Sequence, residues 1–191
     1  MLSKIPFDHI ELGLEEDLSG EGRVVIAHFA NFCVVGVYSP NSGKMGDLSS
    51  LPKRERFDKQ LYKRISQLGK PYVLVGDLNV VFQHDDVEDT LSHSRYRQHP
   101  GCSPNERNPF RTFLEEQGLV DLQKHCTVPG FTFTVSGFGK YQMRLDYVLP
   151  TKSLVECRAI RNFEHNDTML SDHTGQLFRV DKGLFRHNPI L

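Results

Sequence analysis

The sequence predicts an α+β domain in which two packed, mostly antiparallel sheets are flanked by helices as a four-layer αββα sandwich, with a site built from loops at one edge. Short runs rich in Val, Ile and aromatic residues recur between turn residues, and two segments carry apolar residues at helical spacing. Strands outnumber helices, and the polar motifs sit where strands run out into loops.

Arg23 to Phe29 and Phe32 to Tyr38, separated by Ala30-Asn31, read as a β-hairpin that ends at Tyr38-Ser39-Pro40-Asn41. From Pro52 to Leu68, apolar residues at Phe57, Leu61, Ile65 and Leu68 form one helical stripe, and Gly69 supplies a stop. The strand Tyr72 to Val75 follows. Ser103-Pro104-Asn105-Glu106 has the form of a capped helix start, with Ser103 as N-cap, Pro104 in the first position and Glu106 closing a capping box. Phe110, Phe113 and Leu114 then face the core and Gly118 ends the helix. Strand-like pieces follow at Phe131 to Val135, Arg144 to Leu149, Val155 to Ile160 and Gln176 to Val180.

With 191 residues and no repeat or linker, one domain is expected, large enough to bury roughly 70% of its unfolded surface. Hydrophobic residues at 38% and charged residues at 25% exclude a disordered chain, and no apolar stretch is long enough to span a bilayer. A net charge of −1 argues against a general polyanion binder, so any nucleic-acid contact must be local. Basic residues cluster at Lys53-Arg54-Glu55-Arg56, Lys63-Arg64, Arg95-Tyr96-Arg97 and Lys140 to Arg144; each cluster alone also reads as a solvated face. The four cysteines form no Cys-x-x-Cys pair, and the N-terminus lacks a secretory apolar core, which together suggest an intracellular protein with reduced thiols.

Two acidic motifs carry the chemistry. Gly76-Asp77-Leu78-Asn79 closes the Tyr72 strand; residues two apart on extended backbone share a side, so the Asp77 carboxylate and the Asn79 amide can converge on one ion or phosphoryl oxygen. The same four residues also suit a plain turn. Ser171-Asp172-His173 pairs a metal-binding carboxylate with a proton-exchanging imidazole. Asp146, in Arg144-Leu145-Asp146-Tyr147, can orient His173 or instead pair with Arg144. Tyr38, Asn41, Gly43 and Lys44 surround Pro40 with donors suited to phosphate oxygens, or make a simple Pro-Asn turn.

Taken in order, Glu21-Gly22-Arg23-Val24, Tyr38-Ser39-Pro40-Asn41-Ser42-Gly43, Gly76-Asp77-Leu78-Asn79-Val80, Gly130-Phe131-Thr132-Phe133, Arg144-Leu145-Asp146-Tyr147 and Ser171-Asp172-His173 resemble the exonuclease III type of apurinic/apyrimidinic endonuclease, from about Gly20 to Val180. The resemblance implies a Mg²⁺-dependent phosphodiesterase, with Mn²⁺ as an alternative ion, that incises double-stranded DNA 5′ to abasic sites and has 3′-to-5′ exonuclease or 3′-phosphodiesterase activity. It implies catalytic roles for Tyr38, Asp77, Asn79, Asp146 and His173, and substrate contacts by Asn41, Lys44, Phe133 and Arg144. The implied metal ligands are Asp77, Asn79, Asp172 and His173. A monomer is expected, nuclear in a eukaryote and cytoplasmic in a bacterium.

The chain departs from the family pattern before Gly20, where the early strands and the metal-holding glutamate have no counterpart; Glu11, Glu15, Glu16 and Asp17 lie in a stretch without strand alternation, so the fold is expected to be N-terminally incomplete. Thr134 and Met143 stand where the family often has tryptophan, which leaves Phe133 as the wall for a flipped-out sugar, and the loop Ser136 to Gln142 is short. Other readings of the same fold are a catalytically impaired nucleic-acid-binding or scaffold protein, a phosphatase of inositol phosphates or lipid headgroups, and an RNA deadenylase.

Overall fold

The computed structural model describes residues 1–14, 21–88, 98–135, 141–166 and 170–186. Glu15, Glu16, Asp17, the cluster Arg95-Tyr96-Arg97 and residues 136–140 of the short loop lie outside them. The strands are β1 (His9–Leu12), β2 (Val24–His28), β3 (Cys33–Tyr38), β4 (Tyr72–Asp77), β5 (Phe133–Val135), β6 (Tyr141–Met143), β7 (Asp146–Pro150), β8 (Ile160–Asn166) and β9 (Gly175–Val180). The helices are α1 (Leu51–Ser66), α2 (Pro104–Glu116), α3 (Leu122–His125) and α4 (Lys152–Glu156).

A five-stranded sheet runs in the order β1-β2-β3-β4-β7. The hairpin β2–β3 forms in the expected place, with His28 opposite Cys33, and β4–β7 is also antiparallel. Only β3–β4 is parallel, and α1 supplies the crossover such a pair requires.

Alternation along the central strands divides the core. Val35 and Val37 of β3, Leu74 of β4 and Leu149 of β7 face one way and pack against Leu61 and Ile65 of α1 and Phe110, Phe113 and Leu114 of α2. Burial of each such side chain contributes about 1.5–3 kcal/mol, which explains why α1 keeps its stripe while its other face is charged. Val73 and Val148 face the opposite way and meet Leu122 of α3, Leu154 of α4 and Ile160 and Phe163 of β8. The β8–β9 pair lies in this second layer, while β5–β6 packs with Val81, Val87, Cys102 and Leu145 in a third cluster; the two pairs join where Phe133 bridges His173 and where the Thr174 N–H donates to the Thr132 carbonyl at 2.8 Å.

Both main helices end at the expected glycines, at φ +67° for Gly69 and +58° for Gly118. The α2 capping box forms as the sequence indicates, with Ser103 as N-cap and the Glu106 carboxylate accepting from the Ser103 N–H at 3.2 Å.

Two expectations are corrected. Val155 to Ile160 is not a strand: α4 runs to Glu156, Arg158 turns at φ +57°, and β8 begins only at Ile160. The helix through Glu156 and the turn at Arg158 separate Val155 from Ile160, so these apolar residues belong to different elements. Conversely, the N-terminal segment does form a strand, β1, which pairs with β2 in the register His9–His28 and Glu11–Ile26. It carries no alternation because both of its faces are largely exposed, Leu12 at 77%, and it is held by backbone pairing and by polar side-chain contacts rather than by apolar burial. This pairing covers the β2 edge, which was expected to lie open.

Candidate active site

Three candidate residues lie in a single row across the sheet. Tyr38 at the end of β3 is the lateral partner of Asp77 at the end of β4, and Asp77 is the partner of Asp146 at the start of β7. Neighbouring positions in such a row are about 5 Å apart. Gly76 makes the row possible: it sits at φ +124°, and a Cβ there would lie 2.1 Å from the Val37 carbonyl oxygen, so only glycine lets β4 pass that close to β3.

Beyond the row the chain turns back on itself. Asn79 adopts φ +47°, a conformation Asn tolerates, and the turn closes because the Asp77 Oδ1 accepts from the Asn79 backbone N–H at 2.8 Å. The Asn79 side chain gives its two N–H bonds to Asp77 Oδ2 and to the Ser39 carbonyl, each at 3.0 Å. Asn41 completes the link, donating to Asn79 Oδ1 at 3.3 Å while accepting from the Gly43 N–H at 2.8 Å. Gly-Asp-Leu-Asn is therefore both a turn and the support of a carboxylate. Burial, followed by the like charge of Asp146, raises the Asp77 carboxyl to about 6, against the Asn79 N–H, His173 and Arg54, which pull it down.

On the other side of the row, Asp146 Oδ2 meets His173 Nδ1 at 2.9 Å. The open choice between His173 and Arg144 as the partner of Asp146 is thereby resolved for His173. That hydrogen bond is the main cause of a raised His173 pKa, with burial opposing it. The imidazole packs at a tilt of 44° against Phe133, whose ring centroid lies 4.8 Å from its own. The side chain of His173 is 33% exposed, which leaves Nε2 as the ring nitrogen on the side away from Asp146. Asp172 is exposed beside it, and its backbone carbonyl accepts from the Thr134 N–H at 2.9 Å.

Sequence reasoning missed the residues that hold these loops. Thr132, fully buried, accepts at its hydroxyl from the Leu145 and Asp146 N–H groups at 2.9 and 3.0 Å, and Gln176 donates to the Asp146 carbonyl at 3.0 Å. Arg54 is the more consequential omission. It is 1% exposed, and its guanidinium donates to Leu78 O at 2.7 Å, Asn79 O at 2.9 Å and Pro40 O at 3.1 Å, while Nε meets both Asp58 oxygens at 2.8 Å. One side chain thus ties the Tyr38–Asn41 turn to the Asp77–Asn79 turn. Arg54 was hidden inside a basic cluster that read as a solvated face; the available indication was the Asp four residues later on the same helix.

Tyr38 is 57% exposed, with the Arg23 guanidinium 4.9 Å from its ring centre. Arg23 and Lys53 both bind Glu21, the latter at 2.8 Å, and these two partners hold the Glu21 carboxyl down to about 2. Lys44 is exposed next to the Asn41 turn, where its backbone N–H donates to Asp47 O at 2.7 Å.

Arg144 requires a correction. The expected substrate contact is 2% exposed, pairs with Asp86 at 2.8 Å and Asp121 at 2.7 Å, and lies 4.5 Å over the Tyr147 ring. A charge so enclosed by two carboxylates and an aromatic face holds the core together and does not reach a ligand in solvent.

The rim offers carboxylate and amide oxygens, donors that suit a hard divalent cation. Among the described residues, the three-ligand group whose donor atoms come within 4.8 Å of one another lies elsewhere, at His9, Glu11 and His28.

Comparison with known proteins shows what the chain is similar to. The chain is 28% identical over 192 residues to a DNA-(apurinic or apyrimidinic site) endonuclease of Arabidopsis thaliana, covering 85% of this chain and 52% of that protein. It is 33% identical over 164 residues to one of Dictyostelium discoideum, covering 80% and 44%, and 37% identical over 116 residues to an exodeoxyribonuclease of Bacillus subtilis, covering 60% and 43%. The chain therefore spans about half the length of the relatives it matches. Among solved structures, an AP endonuclease from Archaeoglobus fulgidus superposes with a TM-score of 0.76 at 20% identity, covering 93% of this chain and 72% of that one. An AP endonuclease from Leishmania major gives 0.75 at 23%, covering 91% and 62%. Both likenesses bear on the fold. The family pattern itself matches residues 1–173, and the chain belongs to the Endonuclease/Exonuclease/phosphatase family.

Proposed function

We propose that this chain carries the phosphodiester-cleaving centre of a DNA repair nuclease that incises double-stranded DNA 5′ to abasic sites. The observation that carries the reading is the convergence of Tyr38, Asp77, Asn79, Asp146 and His173, drawn from four separate segments, on one rim. The names of the relatives support a DNA substrate.

Each residue has a distinct task in this reading. His173, oriented by Asp146, whose hydrogen bond favours the protonated ring, donates from Nε2 to a non-bridging phosphate oxygen. The phenol of exposed Tyr38 donates to the same phosphate from the other end of the row. Asp77, with a carboxyl raised to about 6, exchanges a proton near neutral pH and serves as the acid–base group for the attacking water or the leaving oxygen. Asn79 acts chiefly on Asp77, because its amide hydrogens are already engaged. Asn41 and Lys44 lie where a flanking phosphate passes, and Phe133 offers an apolar wall beside His173 for the sugar.

Asp172 with Asp77 and the amide oxygen of Asn79 would hold Mg²⁺, or Mn²⁺, with water filling most of the coordination, whereas His173, engaged at both ring nitrogens, would not ligate the ion. Such an ion, when bound, supplies charge neutralisation at the phosphate oxygens.

The test is incision of a duplex containing one abasic site by the purified chain in Mg²⁺. Cleavage 5′ to the lesion is expected, lost on Asp77→Asn and on chelation. No cleavage, together with DNA affinity that is equal with and without Mg²⁺, would establish instead a binding protein that keeps the fold.

A further inference from the structure

At the far end of the sheet, a second group of side chains stands ready for a different ion. The register of the β1–β2 pair places His9 directly opposite His28, and Glu11, two residues along β1, shares their face. His9 and His28 stack with ring centroids 3.9 Å apart, and Glu11 Oε1 lies 2.7 Å from His28 Nε2 and 4.0 Å from His9 Nε2. One donor atom from each of the three residues lies within 4.8 Å of the other two. From Cys33, the cross-strand neighbour of His28, to Tyr38 at the catalytic rim, β3 spans about 16 Å.

The geometry points to a Zn²⁺-type divalent cation site formed by His9, Glu11 and His28, separate from the catalytic rim. Two imidazoles and one carboxylate make a donor set for a borderline-soft ion such as Zn²⁺, whereas Mg²⁺ takes oxygen ligands. The set is oriented from behind, as metal ligands commonly are. Cys33 Sγ lies 3.3 Å from His28 Nδ1, the ring nitrogen away from Glu11, and Arg64 binds Glu11 Oε2, so Oε1 is the oxygen turned to the imidazoles. Ligand atoms around a tetrahedral Zn²⁺ sit about 3.3 Å apart. The contraction required is small, and His9, with 60% of its side chain exposed, can turn to supply it. Binding replaces the Glu11–His28 hydrogen bond by two bonds to the ion, moves the remaining imidazole proton to Nδ1 beside Cys33, and leaves one position for water. The Arg64 charge limits affinity, which makes the site one for exchangeable metal.

Calorimetric titration of the purified chain with Zn²⁺ in excess Mg²⁺, repeated with Co²⁺ to read its absorption bands, tests the proposal. One ion per chain is expected, with affinity falling at least about tenfold in His9→Ala and in Glu11→Gln, and Mg²⁺-supported DNA incision unchanged in His9→Ala. His9→Ala removes an exposed ring, so the test survives if Glu11→Gln, which loses the Arg64 pairing, folds poorly. Absence of Zn²⁺ binding, binding that survives His9→Ala, or binding lost on Asp172→Ala instead, would each overturn the site.

Discussion

Asp77 and Asp146 are directly opposed across β4 and β7, two carboxylates in one register position of an antiparallel pair. Each therefore sets the protonation of the other's neighbourhood. Asp146 is the second cause of the raised Asp77 carboxyl and the first cause of the raised His173 imidazole.

Asp146→Asn should consequently lower both values. Removing the like charge eases ionisation of Asp77, and removing the hydrogen-bonded carboxylate eases deprotonation of His173. NMR titration of the carboxyl carbon and the imidazole protons in Mg²⁺-free protein would show both downward shifts; an unmoved His173 would remove Asp146 from its orienting role. The stability effects follow. Asp77 is raised from 3.8 to about 6, so the folded state holds its proton more tightly and stability falls as pH rises through that window. The His173 contribution is fully present below pH 6.5 and is lost as pH rises through its higher folded value.

Asp146→Ala should reduce turnover far more than substrate binding, because orientation of His173 matters chiefly as charge develops on the phosphate. For general acid–base assistance by Asp77, substitution with Asn should cost about 10²–10⁴ in rate. Steady-state kinetics on an abasic duplex would separate the two constants, and an effect confined to KM would contradict the assignment of Asp146.

Arg54→Ala should destabilise the fold by about 3–5 kcal/mol, since Asp58 would remain buried without its partner. Arg54→Lys keeps the charge and loses the planar fork that reaches three carbonyls. Denaturant unfolding combined with kinetics should show Arg54→Lys folded but slower, with kcat reduced and KM little changed. Full activity in Arg54→Lys would reduce Arg54 to a packing residue.

Gly76→Ala should lose at least about 1–3 kcal/mol, from the backbone conformation alone. The clash with Val37 O adds to this by pushing β3 and β4 apart. Unfolding midpoints and the Asp77 titration, compared with wild type, would show both the loss and the displaced carboxylate; a neutral substitution would contradict the close passage.

How much of this could be read beforehand depended on whether a segment's pattern was local. The hairpin β2–β3, the α1 stripe and the α2 capping box were legible because alternation, periodicity and cap chemistry reside in consecutive residues. β1 was not, since it is held by backbone pairing and has little buried side-chain surface to leave a pattern. The His173–Asp146 contact was anticipated from motif order, whereas Arg54, Thr132 and Gln176 act through backbone carbonyls and amides of distant loops that no spacing discloses. Arg144 was misjudged because its two carboxylate partners, Asp86 and Asp121, lie far from it along the chain.

The cross-sheet row has a bearing on biosynthesis as well. Tyr38, Asp77 and Asp146 become neighbours only after β7 has docked beside β4, and His173 arrives later still with the segment that enters β9. Connections this distant form slowly compared with local helices. A partly made or partly unfolded molecule therefore lacks the complete row, and the rim comes into being only once the rest of the architecture has been finished.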